Sequence, residues 1–192
     1  MYSGEHATKR GKGFLRSILS FVGMLALVLV LSFGLRTFVF QAYEIPSGSM
    51  ERTIMTNDMV FAEKVTYYFE EPAQGDIVTF ENPENPAQTL IKRVIATGGQ
   101  VVDLQYGVVV VDGTPLDEPY TLGKPAYPYD RHANNLTANV TFPYTVPEGY
   151  VWVMGDNRTN SNDSRYFGAV PVSSVTSKAL FIYWPFSDAC ML

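Results

Sequence analysis

Apolar positions along the chain fall into two regimes. From Ile18 to Leu35 there are 18 consecutive residues without a charge. At about 1.5 Å per helical residue this run spans about 27 Å, close to the hydrocarbon thickness of a bilayer. One membrane-spanning helix is expected over residues 17–36. Beyond Arg36 the apolar residues come in short runs: Val60-Phe61-Ala62, Asp76–Phe80, Leu90–Ala96, Val101–Leu104, Val108–Val111, Tyr150–Met154 and Ala179–Trp184. These are rich in β-branched and aromatic residues and are bounded by Gly, Pro, Asn or Asp, which predicts strands. Asp112-Gly113 reads as a tight turn, and Glu81–Pro86 as a loop joining two strands. Pro115 to Pro147 is rich in Pro, Tyr and Asn without a clear period, and predicts an extended excursion from a barrel or sandwich. The expected fold class is mainly β: an antiparallel, barrel-like domain over residues 37–192, large enough for one core, preceded by one helix.

Charge orients the helix. Lys9, Arg10, Lys12 and Arg16 precede it with only Glu5 opposing them, so residues 1–16 are expected on the cytoplasmic side and everything after Arg36 outside. A cleaved signal peptide would have a shorter apolar region, about 7–15 residues, ending in a small-x-small site. Here the run ends in Phe33-Gly34-Leu35-Arg36-Thr37-Phe38, which favours a retained anchor. All 19 acidic residues except Glu5 follow the helix, and the domain is strongly acidic. Nucleic acid is therefore not an expected partner, for want of a basic footprint. Cys190 is the only cysteine, so no internal disulfide is expected. No Cys/His cluster has metal-ligand spacing, and Cys190 misses the prenylation position. Asn135-Leu136-Thr137 and Asn139-Val140-Thr141 match the glycosylation pattern, which matters only in a host with that machinery. Phe38-Val39-Phe40 and Phe181–Phe186 are either buried strand residues or aromatic contacts to lipid.

Candidate chemistry starts at Ser47-Gly48-Ser49-Met50, shortly after the anchor. A serine hydroxyl needs a base within reach and donors for the developing oxyanion. The only histidines are His6, on the wrong side of the membrane, and His132, in the irregular Asp130–Ala133 loop, so a Ser-His-Asp triad is not expected. A lysine serves as base if burial depresses its pKa. Lys92 is the candidate: by alternation it shares a strand face with Leu90 and Val94, with Arg93 opposite. Its plainer role would be an edge-strand lysine reaching solvent. The third segment, Gly155–Arg165, is dense in turn formers and charges, as either a solvated connection or a site would be.

Four blocks, Pro46-Ser47-Gly48-Ser49-Met50, Gly75–Phe80, Lys92-Arg93-Val94 and Gly155–Arg165, stand in the order found in the bacterial type I signal peptidases, and the chain resembles these Ser-Lys proteases of family S26 from the anchor to about Trp184. The last block is long and specific. The resemblance implies Ser49 as nucleophile and Lys92 as general base, with Ser47 offering its hydroxyl to the oxyanion beside the Ser49 N–H. It implies that Ser161 orients the lysine amine, and that Asp156 with Arg93 and Asp163 with Arg165 form charge pairs bracing the site. Ile45, Met50, Ile54 and Ile91 fall where the family lines the pocket for the residue before the cleavage point, though they could equally be ordinary core.

The implied activity is removal of signal peptides from exported preproteins after Ala-x-Ala, at the bacterial cell membrane, by a single-pass monomer in contact with lipid, with no metal or cofactor. Two local sequences depart from the family: Glu51-Arg52-Thr53-Ile54 replaces x-Pro-Thr-Leu, and Ala96–Gln100 replaces Gly-x-Pro-Gly-Asp. Without the proline, the turn behind the nucleophile is expected to be looser or differently braced. A related Ser-Lys protease serving one dedicated partner, or a non-enzymatic membrane module, are the other readings; the anchor and the last block argue against the first, and the intact Ser49 and Lys92 against the second.

Overall fold

The computed structural model describes residues 6–134 and 140–192. Glu5, and Asn135 and Asn139 of the two Asn-x-Thr sequences, lie outside the described residues. The chain divides into two compact units, one ending at Val39 and one spanning Phe40–Leu192. The first is helix α1, His6–Phe38. Its Arg16–Phe38 stretch, which contains an 18-residue window of mean hydropathy 2.6, is long and apolar enough to cross a membrane.

The second unit is built of β1 Phe40–Glu44, β2 Met59–Glu63, β3 Ile77–Asn82, β4 Asn85–Thr97, β5 Val101–Gln105, β6 Val108–Val111, β7 Thr114–Pro115, β8 Tyr144–Thr145, β9 Tyr150–Met154, β10 Val170–Pro171, β11 Val175–Trp184 and β12 Cys190–Met191, with a one-turn helix α2 at Ser164–Phe167. The strands form an eight-stranded sheet in the order β1-β2-β11-β3-β4-β9-β10, with β12 beside β11, and a four-stranded sheet in the order β7-β6-β5-β8. The pairings are antiparallel. Each of the seven predicted runs forms a strand.

Two local expectations change. Glu81–Pro86 is not a free loop, because Asn82 pairs with Asn85 and only Pro83-Glu84 turns the chain. Pro86 is tolerated because the outer part of β4 is exposed, where a missing N–H costs little. The Pro115–Pro147 excursion is irregular over most of its described length, but β7 and β8 at its ends join the smaller sheet. Asp112-Gly113 does turn tightly, with φ of 51 and 78, the positive pair that a two-residue hairpin demands.

Strand β4 threads three cores. Its Ile91 packs with Ile45, Met50, Ile54, Val60 and Ile182, and its Val94 with Val78, Phe80, Val153 and Phe167. Its Ile95 and Ala96 pack with Val102, Val109, Trp152 and Met154, joining the two sheets. A register shift in the β4–β9 pairing lies between Val94 and Ala96, which turns the strand from one core to the next. Lys92 sits in this strand, flanked by β3 and β9. The strand is therefore not an edge strand, and Lys92 is buried rather than reaching solvent.

Candidate active site

The Ser49 turn follows β1. Ser49 occupies a single 3-10 turn, Gly48–Met50, anchored by the wholly buried Met50. Glu51 N donates to Gly48 O at 3.2 Å, and Thr53 N and Ile54 N donate to Met50 O at 3.1 and 2.9 Å. Arg52 adopts φ +88, a left-handed conformation closed to proline, whose ring holds φ near about −65°. The turn is thus a different one from that a proline would impose. It is held by those backbone bonds and by Thr53 Oγ1, which donates to Asp156 Oδ2 at 2.5 Å. In the second departure, Gln100 does the bracing. Its Oε1 accepts from Thr97 N and its Nε2 donates to Asp112 Oδ2, each at 2.9 Å.

Lys92 is 3% exposed. Its Nζ donates to Ser49 Oγ at 2.7 Å and to Ile91 O at 2.8 Å. Burial pulls the amine down from 10.5 to about 8, with the charges of Asp163 and Asp156 opposing the shift. Removing water penalises the ammonium more than the neutral amine. Ser47 Oγ lies 3.4 Å from Ser49 Oγ. A buried hydroxyl and a buried amine with an appreciable neutral fraction therefore meet at the wall of a cleft, with the exposed Ser47 hydroxyl beside them.

The Gly155–Arg165 loop packs on this centre. Gly155 is required by contact: a Cβ there would come within 2.3 Å of Ser161 Oγ and 2.4 Å of Ser49 O. Arg93 grips Asp156 with two bonds, at 2.9 and 2.7 Å. Burial disfavours the Arg93 charge, but Asp156 more than offsets it and the guanidinium pKa is raised. Arg165 grips Asp163 likewise, at 2.9 and 2.8 Å, with both side chains buried. Asp163 also accepts from Gly155 N and, as the N-cap of α2, from Arg165 N. Ser161 Oγ is buried and makes no hydrogen bond; the two bonds from Lys92 go to Ser49 and Ile91 instead.

The irregular segment Glu118–Tyr129 straps the loop from outside. Glu118 pairs with both terminal nitrogens of Arg158. The Tyr120 ring lies 4.0 Å from the Arg93 guanidinium, and the Tyr129 ring 4.6 Å from that of Arg165. Tyr129 donates to Ser161 O at 2.7 Å, and Lys124 Nζ to Asn157 Oδ1 at 2.6 Å.

The family described as "Signal peptidase, peptidase S26" matches residues 17–184. The chain belongs to the S26 signal peptidase family. It is 42% identical over 173 residues to a probable signal peptidase I-1 of Synechocystis, covering 86% of this chain and 82% of that one. To the signal peptidase I of Leptolyngbya laminosa it is 38% identical, covering 84% and 77%. A signal peptidase I from Enterococcus faecalis V583, known from a crystal structure, aligns at 33% identity and a TM-score of 0.46, over 57% of this chain and 97% of that one.

Of the four residues expected from the signal peptidase resemblance to form the substrate pocket, Ile45 and Ile91 line a cleft of about 350 Å³ that also reaches Pro46, Ser47, Thr79 and Lys92. Met50 and Ile54 are wholly buried in the core shared with Ile45 and Ile91 and do not line that cleft. Sequence reasoning missed Thr53, Glu118, Tyr120, Lys124, Tyr129 and Asn157. Asn157 was legible in principle, as an amide beside Asp156 in the specific block. The strap residues had no signal, since they lie in a segment without period.

Proposed function

We propose that this protein is a membrane-anchored serine endopeptidase that removes N-terminal signal peptides from exported preproteins, with Ser49 as nucleophile and Lys92 as general base. The observation that carries the reading is the buried Lys92 amine 2.7 Å from Ser49 Oγ, with burial holding its pKa near about 8. Neutral Lys92 takes the hydroxyl proton as Oγ attacks the scissile carbonyl. The negative oxygen is stabilised by the Ser49 N–H and the Ser47 hydroxyl. The ammonium then gives its proton to the leaving amine, the N-terminus of the mature protein. Lys92 next deprotonates a water that attacks the ester, and the ammonium returns that proton to Ser49 Oγ as the signal peptide leaves. Ser161, whose buried hydroxyl makes no hydrogen bond in this structure, is the residue positioned to orient the amine by turning toward it. The shallow apolar end of the cleft at Ile45 and Ile91 favours small side chains, as in Ala-x-Ala, because larger groups would have to displace packed core.

Helix α1 anchors the enzyme with its basic N-terminal flank in the cytoplasm and the β domain outside. The exposed Trp184 and Phe186, whose rings meet edge to face, give the domain an aromatic contact for lipid headgroups. The working form is a monomer.

Because the base must be neutral in the free enzyme, kcat/KM should rise with pH through about 8 and level off above it. Below that point it should fall about tenfold per pH unit. A profile flat from pH 6 to 9 would exclude Lys92 as base. The function itself is tested with purified enzyme in detergent and a preprotein bearing an Ala-x-Ala site, product N-termini being read by mass spectrometry. The expected result is a single cut after the second alanine, absent in Ser49→Ala. Intact preproteins after incubation with folded wild type at pH 9 would overturn the reading.

A further inference from the structure

We infer that Asn157 is a positioning residue for the oxyanion donor: its side chain locks the peptide plane that carries the Ser49 N–H, and Lys124 locks Asn157. The inference rests on Ser49 being the nucleophile. Asn157 is 2% exposed and holds the carbonyls on both sides of Ser49. Its Nδ2 donates to Gly48 O at 2.8 Å, and its backbone N donates to Ser49 O at 3.1 Å.

The Gly48 carbonyl and the Ser49 N–H belong to one planar trans peptide and point in opposite directions. Anchoring the oxygen therefore aims the N–H. The anchor matters because glycine has the least resistance to rotation of the peptide that follows it, and the bond from Glu51 N to that oxygen is longer, at 3.2 Å. Oxyanion stabilisation depends on donors fixed before the charge develops, so a plane free to rock loses much of its effect.

The orientation of the amide follows from its partners. Oδ1 meets the Lys124 ammonium at 2.6 Å, a group that only donates, while Nδ2 meets Gly48 O and Glu51 Oε2, at 3.1 Å for the latter, which only accept. A flipped amide would oppose donor to donor and acceptor to acceptor. Lys124 thus holds the amide the right way round from the strap, without touching the substrate. This gives the Glu118–Tyr129 excursion a part in catalysis: it reaches the nucleophile through one lysine and one asparagine.

The test separates transition-state from ground-state effects. Asn157→Ala and the near-isosteric Asn157→Asp, which replaces the donor by an acceptor, should each lower kcat about 10²-fold with KM within threefold. The variant Lys124→Met, at a half-buried position on the strap, should lower it about tenfold. A peptide aldehyde of the substrate sequence forms a hemiacetal on Ser49 whose oxygen takes the oxyanion position, so its affinity should fall in parallel with kcat. Substrate peptide binding in a Ser49→Ala background should change less than threefold. Two results would overturn the inference. One is kcat within threefold of wild type in the Asn157 variants or unchanged in Lys124→Met. The other is an equal loss of aldehyde and ground-state affinity together with a lowered melting midpoint, which is the mark of a merely structural role. A wild type that cleaves no preprotein would instead overturn the function proposed above.

Discussion

Lys92→Met should abolish turnover while leaving the protein at least as stable as the wild type. The expected loss in kcat/KM is about 10⁴-fold or more, the scale seen when one member of a nucleophile–base unit is removed. Methionine matches the length of the lysine stem and fills the same buried slot beside Ser49 and the Ile91 carbonyl. It carries no charge to desolvate. The stability side follows from linkage. The Lys92 amine titrates near about 8 in the folded protein and near its ordinary 10.5 when unfolded. As pH falls below 10.5 the unfolded chain takes up the proton first, so Lys92 costs stability progressively down to about pH 8 and by a constant amount below it. That cost is about 3 kcal/mol at neutral pH, of which the apolar replacement recovers part. Lys92→Arg should not rescue activity, because a guanidinium stays protonated. Single-turnover cleavage and thermal unfolding of the detergent-solubilised protein check both halves. Cleavage by Lys92→Met at more than a hundredth of the wild-type rate would sink the assignment.

Asp163→Ala is expected to be the most destabilising single change in the site, by about 3–5 kcal/mol. It leaves the guanidinium of Arg165 buried without its carboxylate, deprives Gly155 N of its acceptor and removes the N-cap of α2. Such a penalty comes from the orphaned charge more than from the lost attraction. Adding Arg165→Met should therefore restore a substantial part of the stability lost in Asp163→Ala. Chemical denaturation of the three variants measures this directly, and a double variant no more stable than Asp163→Ala would show that the N-cap and the Gly155 contact dominate instead. Arg93–Asp156 should be less costly to break, since Arg93 is 12% exposed and also has the Gly75 carbonyl and the Tyr120 face.

The order of elements was legible because it rests on local rules. Eighteen uncharged residues in a row are compatible with little but a buried or membrane helix, and β-branched runs between turn formers, as at Val101–Leu104 and Val108–Val111, announce strands that pair with their neighbours. Lys92 and Ser49 stood out for a similar reason: without a usable histidine few residues were left to act as base, and the blocks around them resemble a known family. Short strands such as β1, which abuts the apolar helix, and the two-residue β7, β8, β10 and β12 left no periodic trace.

What composition and pattern specify is the kind of element and which side chains seek burial. They do not specify neighbours distant in the chain. Whether Lys92 met solvent or a dry cleft depended on β4 lying between β3 and β9. Whether Met50 and Ile54 lined a pocket or filled a core depended on how β2 and β11 packed behind the Ser49 turn. Arg52 entered the left-handed region because the turn is closed by bonds to Met50 O and Asp156, and no local preference of arginine would indicate that. The Glu118–Tyr129 strap is the clearest case, since its aromatic and ionic contacts to Arg93, Asn157, Arg158 and Arg165 exist only once the sheets have brought that loop beneath it. Cation–ring and buried charge-pair contacts depend on close approach and exclusion of water, and both are properties of the assembled fold.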